Sequence, residues 1–375
     1  MRTQVCDMLG IEFPILAFSH CRDVVAAVSK AGGLGVLGAV AHTPDRLDQE
    51  LEWIENEVGD KPYGVDVLVP AKYIGSDEGG LSGVDLNAMI PEEHRQFVDD
   101  MMQRYGVPPL PQEDRLPPGA GLLSWSHKGA IPLMDVTFAH KARLIANALG
   151  PAPEYMVEHA HANDVLVAGL VGKAVHAERQ RNAGVDIVVA QGAEAGGHTG
   201  EIGTMVLVPE VVDAVAPVPV LAAGGIATGR QLAASLALGA QGVWCGSVWL
   251  TTEEAETHPI VKEKFLTATS ADTVRSRAST GKPARQLRSA WTDEWEDPAN
   301  PDPLPMPLHG MLIAEAQGRM ARSAANNEGA KKLLNYFVGQ AVGQMNQVKP
   351  ARQVVLDMVD EFIDAAQSLS HLLEE

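Results

Sequence analysis

Cysteine is scarce in this sequence, which has three in 375 residues. Cys6, Cys21 and Cys245 share no CxxC or other metal-ligand spacing. Three cysteines do not form a disulfide framework, so a reducing compartment is expected, with no metal site. The sequence also lacks an apolar run of the ~18 residues that a membrane span needs, and it starts without a secretory apolar segment. We therefore expect a cytoplasmic protein that does not enter a membrane.

Basic residues are also few. The 48 acidic side chains outnumber the 29 basic ones and give a formal net charge of −19. Nucleic-acid binding requires basic surface to meet the phosphates, and docking on an anionic membrane requires the same. The composition thus argues against both kinds of partner.

Short apolar runs alternate with helical patterns along most of the chain. Runs that are apolar over their whole length indicate strands buried on both faces, as in parallel sheets. Repeated units of this kind favour a (β/α)₈ barrel or a doubly wound sheet. The segment 143–150 fits a strand or part of a helix equally well. The eight candidate strands are 13–18, 34–40, 63–69, 143–150, 164–169, 185–192, 218–225 and 241–247.

The remaining segments suggest additions to this repeating unit. Residues 71–132, rich in Gly, Pro and charge, are predicted to be an insertion after the third strand, with a helix at 91–106. We assign residues 1–250 to the barrel, 251–338 to a smaller, mostly helical domain, and 339–375 to a C-terminal segment that returns to the barrel.

Three glycine-rich loops follow predicted strands: QGAEAGGHTG (191–200), AAGGIATGR (222–230) and WCGSVW (244–249). In a (β/α)₈ barrel the loops after the seventh and eighth strands often bind phosphate. The backbone N–H groups of Gly225, Gly246 and Ser247 would then hold a phosphate without cationic side chains. Alternatively, these glycines belong to ordinary turns. No GxGxxG follows the first strand, which argues against a dinucleotide fingerprint.

His198 lies in the first of these loops, just after a predicted strand. The unperturbed pKa of histidine, about 6.5, suits either of two roles for His198: proton transfer, or stabilisation of a developing anion. A single histidine is more often a structural hydrogen-bonding residue, and its place among the glycines favours catalysis. Glu194 is a second candidate base, although its carboxylate can instead accept hydrogen bonds from loop N–H groups.

Several stretches resemble one known family. They are AGGLGVLG, YGVDVLV, AGVDIVVAQGAEAGGHTG, PVLAAGGIATGRQLAASLALGAQGVWCGSVWL, STGKPARQLRSAW and VGQAVGQ. In this order they resemble the nitronate monooxygenase family, formerly 2-nitropropane dioxygenases, and related flavin-dependent enoyl-ACP reductases. The resemblance does not cover residues 71–132. It implies a TIM barrel that binds FMN beneath a smaller helical domain.

The resemblance also implies site residues. His198 would be the catalytic residue. The residues expected to contact the cofactor are Gln191, Gly196 and Gly197 in the histidine loop, and Gly225, Trp244, Cys245, Gly246 and Ser247 around the phosphate. Ala17, Phe18 and Ser19 are also expected at the cofactor, with Phe18 and Ser19 standing where the family usually has a Pro-Met pair. Asp66 stands where the family often has Asn, and Lys173, at the end of the fifth strand, would offset Asp66.

The activity implied by the resemblance is oxidation of alkyl nitronates with O₂ to a carbonyl compound and nitrite. The partners would be a small-molecule substrate and O₂, in a monomer or a homodimer. An alternative is an NAD(P)H-dependent reductase acting on a quinone or an enoyl thioester. The basic stretch 274–288 could then form the surface that an acyl-carrier or CoA substrate approaches, or it could equally be a structural element. A third interpretation is a flavin-binding protein without activity.

Overall fold

Eight short parallel strands close into a barrel in the computed structural model, which describes residues 1–70, 74, 82–114 and 127–373. The ring closes where Leu16 pairs with Trp244. The barrel strands are β1 (Ile15–Ser19), β2 (Leu34–Gly38), β3 (Tyr63–Asp66), β4 (Leu144–Asn147), β5 (Leu166–Val171), β6 (Ile187–Gln191), β8 (Val220–Ala223) and β9 (Gly242–Cys245). Strand β7 (Gly197–His198) lies outside the barrel. The predicted TIM barrel is confirmed, and segment 143–150 contains a strand.

Alternate side chains of the barrel strands enter two separate apolar cores. Leu16, Ile187 and Trp244 belong to the core inside the barrel. Ala17 and Cys245 point the other way, into the core beneath the outer helices. Because both faces of every strand are apolar, the strands carry the continuous hydrophobic runs typical of parallel sheets.

Fifteen helices occur among the described residues. They are α1 (Gln4–Leu9), α2 (Arg22–Lys30), α3 (Pro44–Val58), α4 (Gly83–Ala88), α5 (Glu92–Arg104), α6 (His127–Ala139), α7 (Glu154–Ala162), α8 (Ala174–Ala183), α9 (Thr204–Val215), α10 (Gly229–Ala237), α11 (Pro259–Thr267), α12 (Ala290–Glu296), α13 (Leu308–Ser323), α14 (Glu328–Leu333) and α15 (Ala351–His371). Helix α3 begins as its sequence indicates, since Thr43 Oγ1 accepts a hydrogen bond from the Arg46 N–H. None of the described helices is both long and apolar enough to cross a membrane.

A third apolar core lies in the part we call the cap, residues 251–338. Helix α5 of the insertion contributes to this core: the Phe97 and Trp295 rings meet edge to face, with centroids 4.8 Å apart. The described part of the insertion therefore packs against the cap. The remainder of the predicted insertion, 71–73, 75–81 and 115–126, lies outside the described residues.

Helices α11 to α14 make up most of the regular structure of the cap, which also contains a small sheet. Two of its segments, β10 (Thr273–Ser276) and β11 (Ala284–Leu287), pair with β7 in an antiparallel three-stranded sheet. The sequence did not indicate this small sheet, for a physical reason. These strands have four residues each and carry Arg275 and Arg285, so they lack the apolar alternation that marks a strand.

The C-terminal helix α15 packs against α10 and α2 on the outside of the barrel. The contact with α10 is close: a Cβ added to Gly229 would lie 2.0 Å from the carbonyl oxygen of Met358. Glu361 Oε2 accepts a hydrogen bond from the Gly229 N–H at 2.8 Å. Glycine at this position allows the two helices to meet.

We predict that Gly229→Ala lowers the free energy of unfolding by about 1–3 kcal/mol, because the added methyl group forces α15 away from α10. Gly310→Ala is the matched control, since a Cβ at this position in α13 meets nothing within 4 Å. The control is expected to raise stability by about 0.5–1 kcal/mol through helix propensity. Urea unfolding of both variants measures the difference, and equal stabilities would contradict the packing.

Candidate functional site

A cavity of about 1360 Å³ opens at the carboxyl ends of the barrel strands, between the barrel and the cap. Its lining includes Phe18, Asp66, Gln191 and Trp244 from the strand ends, and Met311 from the cap. Ligand cavities in proteins usually measure about 300–1,000 Å³. The space is therefore large enough for a cofactor together with a second small molecule.

The loops after β8 and β9 present unpaired backbone donors to this cavity. Gly225, Gly246 and Ser247 line it. Within the described part of the chain, no group accepts a hydrogen bond from their N–H groups. Ser247 also begins a 3₁₀ turn, Ser247–Thr251, whose first N–H groups have no partner within the turn. Unpaired N–H groups at a turn start fit an anionic oxygen, so these loops fit a phosphate group.

The histidine loop, residues 191–200, is tightly held. The Glu194 carboxylate accepts hydrogen bonds from the N–H and the hydroxyl of Thr204, at 2.9–3.0 Å. This supports the alternative in which Glu194 fixes the loop. At Gly196 an added Cβ would lie 2.8 Å from the backbone of Val338 and Gly339, so only glycine allows this close approach.

His198 itself lies on a short strand. Strand β7 pairs with β11, with His198 opposite Ala284. The imidazole lines the cavity, and its Nε2 lies 2.9 Å from Thr280 Oγ1. Burial, and to a smaller extent the positive charge of Lys282, lowers the pKa of His198 to about 4. The ring is therefore neutral at neutral pH and able to accept a proton.

Asp66 is the last residue of β3 and its side chain lines the cavity. No group in the described ranges donates a hydrogen bond to its carboxylate. Burial raises the pKa of Asp66 to about 7. The carboxyl group is thus poised to change charge near neutral pH within a ligand-sized cavity.

The other predicted cofactor contacts divide into two groups. Ser19, Gly197 and the residues discussed above line the cavity. Three predicted contacts do not. Ala17 and Cys245 point outward, and burial raises the pKa of the Cys245 thiol to about 12. Lys173 lies beyond the end of β5, exposed, at the start of α8. The prediction that Lys173 offsets Asp66 lacks support, because burial alone accounts for the raised Asp66 pKa.

Several cavity residues had no signal in the sequence that singled them out. Thr280 and Lys282 lie in the stretch STGKP, which carried the resemblance without an assigned role. They reach the cavity because the turn between β10 and β11 lies against His198. Other lining residues from distant segments include His20, His176, Arg179, Tyr336 and Phe337.

TIM-barrel enzymes carry their active sites at the carboxyl ends of the strands, where this cavity lies, so the fold and the site define a TIM-barrel enzyme. Residues 2–361 match the family model described as nitronate monooxygenase. The chain belongs to the nitronate monooxygenase family.

Relatives in sequence and solved structures agree with this family membership. The chain is 64% identical over its full length to a candidate monooxygenase of Mycobacterium tuberculosis, which it covers completely. It is 32% identical to a protein of Staphylococcus saprophyticus named for nitronate monooxygenase, over 85% of this chain and 88% of that one.

Among solved structures, nitroalkane oxidase from Streptomyces ansochromogenes superposes with a TM-score of 0.79 at 25% identity, covering 97% of this chain and 99% of the other. FabK from Thermotoga maritima superposes with a TM-score of 0.72 at 29% identity, covering 99% of both chains.

We predict that Asp66→Asn changes the pH dependence of stability. The folded-state pKa of about 7 exceeds the unfolded value of 3.8, so the folded protein binds the proton more tightly. The contribution of Asp66 to stability is therefore complete below pH 3.8 and is lost as pH rises to 7.

The Asn variant should gain stability relative to wild type over this interval, on the order of a few kcal/mol, with no further gain at higher pH. Urea unfolding at several pH values measures the gap. The exposed Asp99→Asn is the control and should follow wild type. A constant gap between wild type and Asp66→Asn would refute the assignment.

Proposed function

We propose that the protein binds FMN in this cavity and oxidises alkyl nitronates with O₂ to carbonyl compounds and nitrite. The observation that carries the proposal is the joint presence, in one cavity, of unpaired N–H groups suited to a phosphate and of a neutral histidine. The loops lie at the ends of β8 and β9, and the histidine reaches the same cavity from β7.

Gly225, Gly246 and Ser247 would hold the phosphate group of FMN through their backbone N–H groups. Phe18 and Trp244 form an apolar part of the same wall, with ring planes 21° apart and centroids at 6.4 Å. A flat, apolar wall next to a phosphate site suits a cofactor that combines a planar ring system with a phosphate. When bound, the flavin supplies the electron transfer and the reaction with O₂.

The substrate side of the cavity provides one positive charge and one base. Lys282 lines the cavity close enough to His198 to lower its pKa. A nitronate is an anion, and the ammonium group of Lys282 would attract it. His198, neutral at pH 7, would orient the substrate or accept a proton. In the overall reaction, two nitronates and one O₂ give two carbonyl compounds and two nitrite ions.

A second candidate function is NAD(P)H-dependent reduction of a quinone or an enoyl thioester. The observation in its favour is a basic face at the cavity rim. Arg179 lines the cavity beside His176, whose pKa is lowered by burial and then by the charges of Arg179 and Lys173, so the positive charge of this face comes from Arg179 and Lys173. The side chains of Lys173, just before α8, and of His176 and Arg179 on α8 make no hydrogen bond or ion pair with the rest of the described chain. Such a face suits the phosphates of a dinucleotide.

Anaerobic reduction of the bound flavin separates these functions. We predict that propyl nitronate bleaches the flavin absorbance of the purified protein, whereas NADH and NADPH, added in separate cuvettes, do not. Bleaching by a nicotinamide and not by the nitronate would establish the second candidate and contradict the first. A flavin that none of the three reduces would contradict both.

A further inference from the structure

The hydroxyl group of Thr280 makes three polar contacts. Its Oγ1 lies 2.9 Å from His198 Nε2, 3.2 Å from the backbone N of Lys282 and 3.2 Å from the backbone O of Lys282. The side chain is buried, with 8% of its surface exposed. The two contacts with Lys282 lie within the turn that joins β10 to β11, and the contact with His198 joins this turn to β7.

A hydroxyl group donates one hydrogen bond and accepts two. The Lys282 N–H is a donor, so Oγ1 accepts from it, and the Lys282 carbonyl can only accept, so Oγ1 donates to it. The remaining lone pair of Oγ1 faces His198 Nε2, which must then carry a hydrogen. In the opposite arrangement Oγ1 donates its hydrogen to Nε2. The lone pairs of Thr280 Oγ1 and of the Lys282 carbonyl oxygen then face each other at 3.2 Å with no hydrogen between them.

The turn is rigid enough to hold this arrangement. Gly281 has φ of +80°, and a Cβ at this position would overlap the carbonyl oxygen of Leu304. The Gly281 carbonyl oxygen accepts a hydrogen bond from Arg277 Nε at 3.1 Å. The Thr280 hydroxyl is therefore presented to His198 by a backbone with little freedom.

The second nitrogen of the ring is open. His198 Nδ1 has no hydrogen-bond partner in the described ranges, and it is not one of the buried unpartnered atoms, so it is accessible from the cavity. We propose that Thr280 is a positioning residue that holds neutral His198 with its hydrogen on Nε2, so that the Nδ1 lone pair faces the cavity as a base. The tautomer of His198 does not depend on the proposed function. The identity of the substrate on which the base acts does rest on the proposed function.

The base would act on a neutral nitroalkane. The α C–H bond breaks, the proton moves to Nδ1, and the electron pair forms the C=N bond of the nitronate, whose negative charge lies on the nitro oxygens. The charge of Lys282 would favour this product, and the low pKa of His198 keeps Nδ1 unprotonated between turnovers. A nitronate supplied directly needs no such base.

The tautomer can be observed by NMR of the flavin-containing protein labelled with ¹⁵N-histidine. A His198→Asn variant identifies the His198 signals by their loss. We predict a protonated Nε2 and an unprotonated Nδ1 at neutral pH. A hydrogen on Nδ1 in the wild-type protein would overturn the proposal, and this test needs no variant of Thr280.

Thr280→Val removes the hydroxyl but keeps the branched shape, and Thr280→Ser keeps the hydroxyl. We predict that valine mixes the His198 tautomers and that serine preserves the wild-type one. An exposed control, Thr267→Val, should leave the His198 signals unchanged. An unaltered tautomer in Thr280→Val would overturn the role of Thr280.

Kinetics with paired substrates give the second readout. We predict that Thr280→Val lowers kcat with a neutral nitroalkane about 10-fold or more but changes kcat with the matching nitronate little. Serine should restore the nitroalkane rate. An equal loss with both substrates would indicate a merely structural role. If wild-type protein consumes neither substrate, the proposed function fails, while the NMR result still decides the tautomer.

Discussion

The carboxylate of Glu194 is the interaction on which the candidate site depends most. It accepts hydrogen bonds from the first residue of α9, Thr204, and so ties the histidine loop to the barrel. The same loop accepts hydrogen bonds from two other parts of the chain: Arg285 Nε donates to the Ala193 carbonyl, and the Gln340 N–H donates to the Glu194 carbonyl, both at 2.9 Å. Barrel, cap and C-terminal segment therefore meet at this loop.

This arrangement explains why a titratable ring lies on a glycine-rich segment. The glycines allow the loop to lie against other backbone, as at Gly196, while the anchors of Glu194 and β7 fix where His198 points. Barrel closure brings the glycine-containing loops after β8 and β9 to the same end of the molecule as this loop. The cap then covers that end, contributing Thr280 and Lys282 to the cavity wall.

Much of the barrel could be predicted from the sequence, because buried parallel strands are apolar throughout and lie between helical segments. The cap sheet could not, since β10 and β11 are short, charged and paired with residues far away in the chain. The period of two along a strand would have placed Ala17 and Cys245 correctly. Leu16 and Trp244 point into the barrel, so their neighbours Ala17 and Cys245 point outward. Thr280 became recognisable only through its contact with His198.

We propose that the loops after β8 and β9 hold the phosphate of a flavin, and the Gly246→Leu variant tests this binding. Gly246 has φ of −117°, so the backbone accepts a side chain, and an added Cβ meets nothing closer than Phe18 at 3.9 Å. The new side chain would occupy the phosphate position. Ala314→Leu adds bulk to the cap wall of the same cavity and is the control.

The measurement is the flavin absorbance per protein after purification. We predict a normally folded Gly246→Leu protein that has lost most of its flavin and an Ala314→Leu protein that keeps it. A folded Gly246→Leu protein with full flavin content would contradict the account.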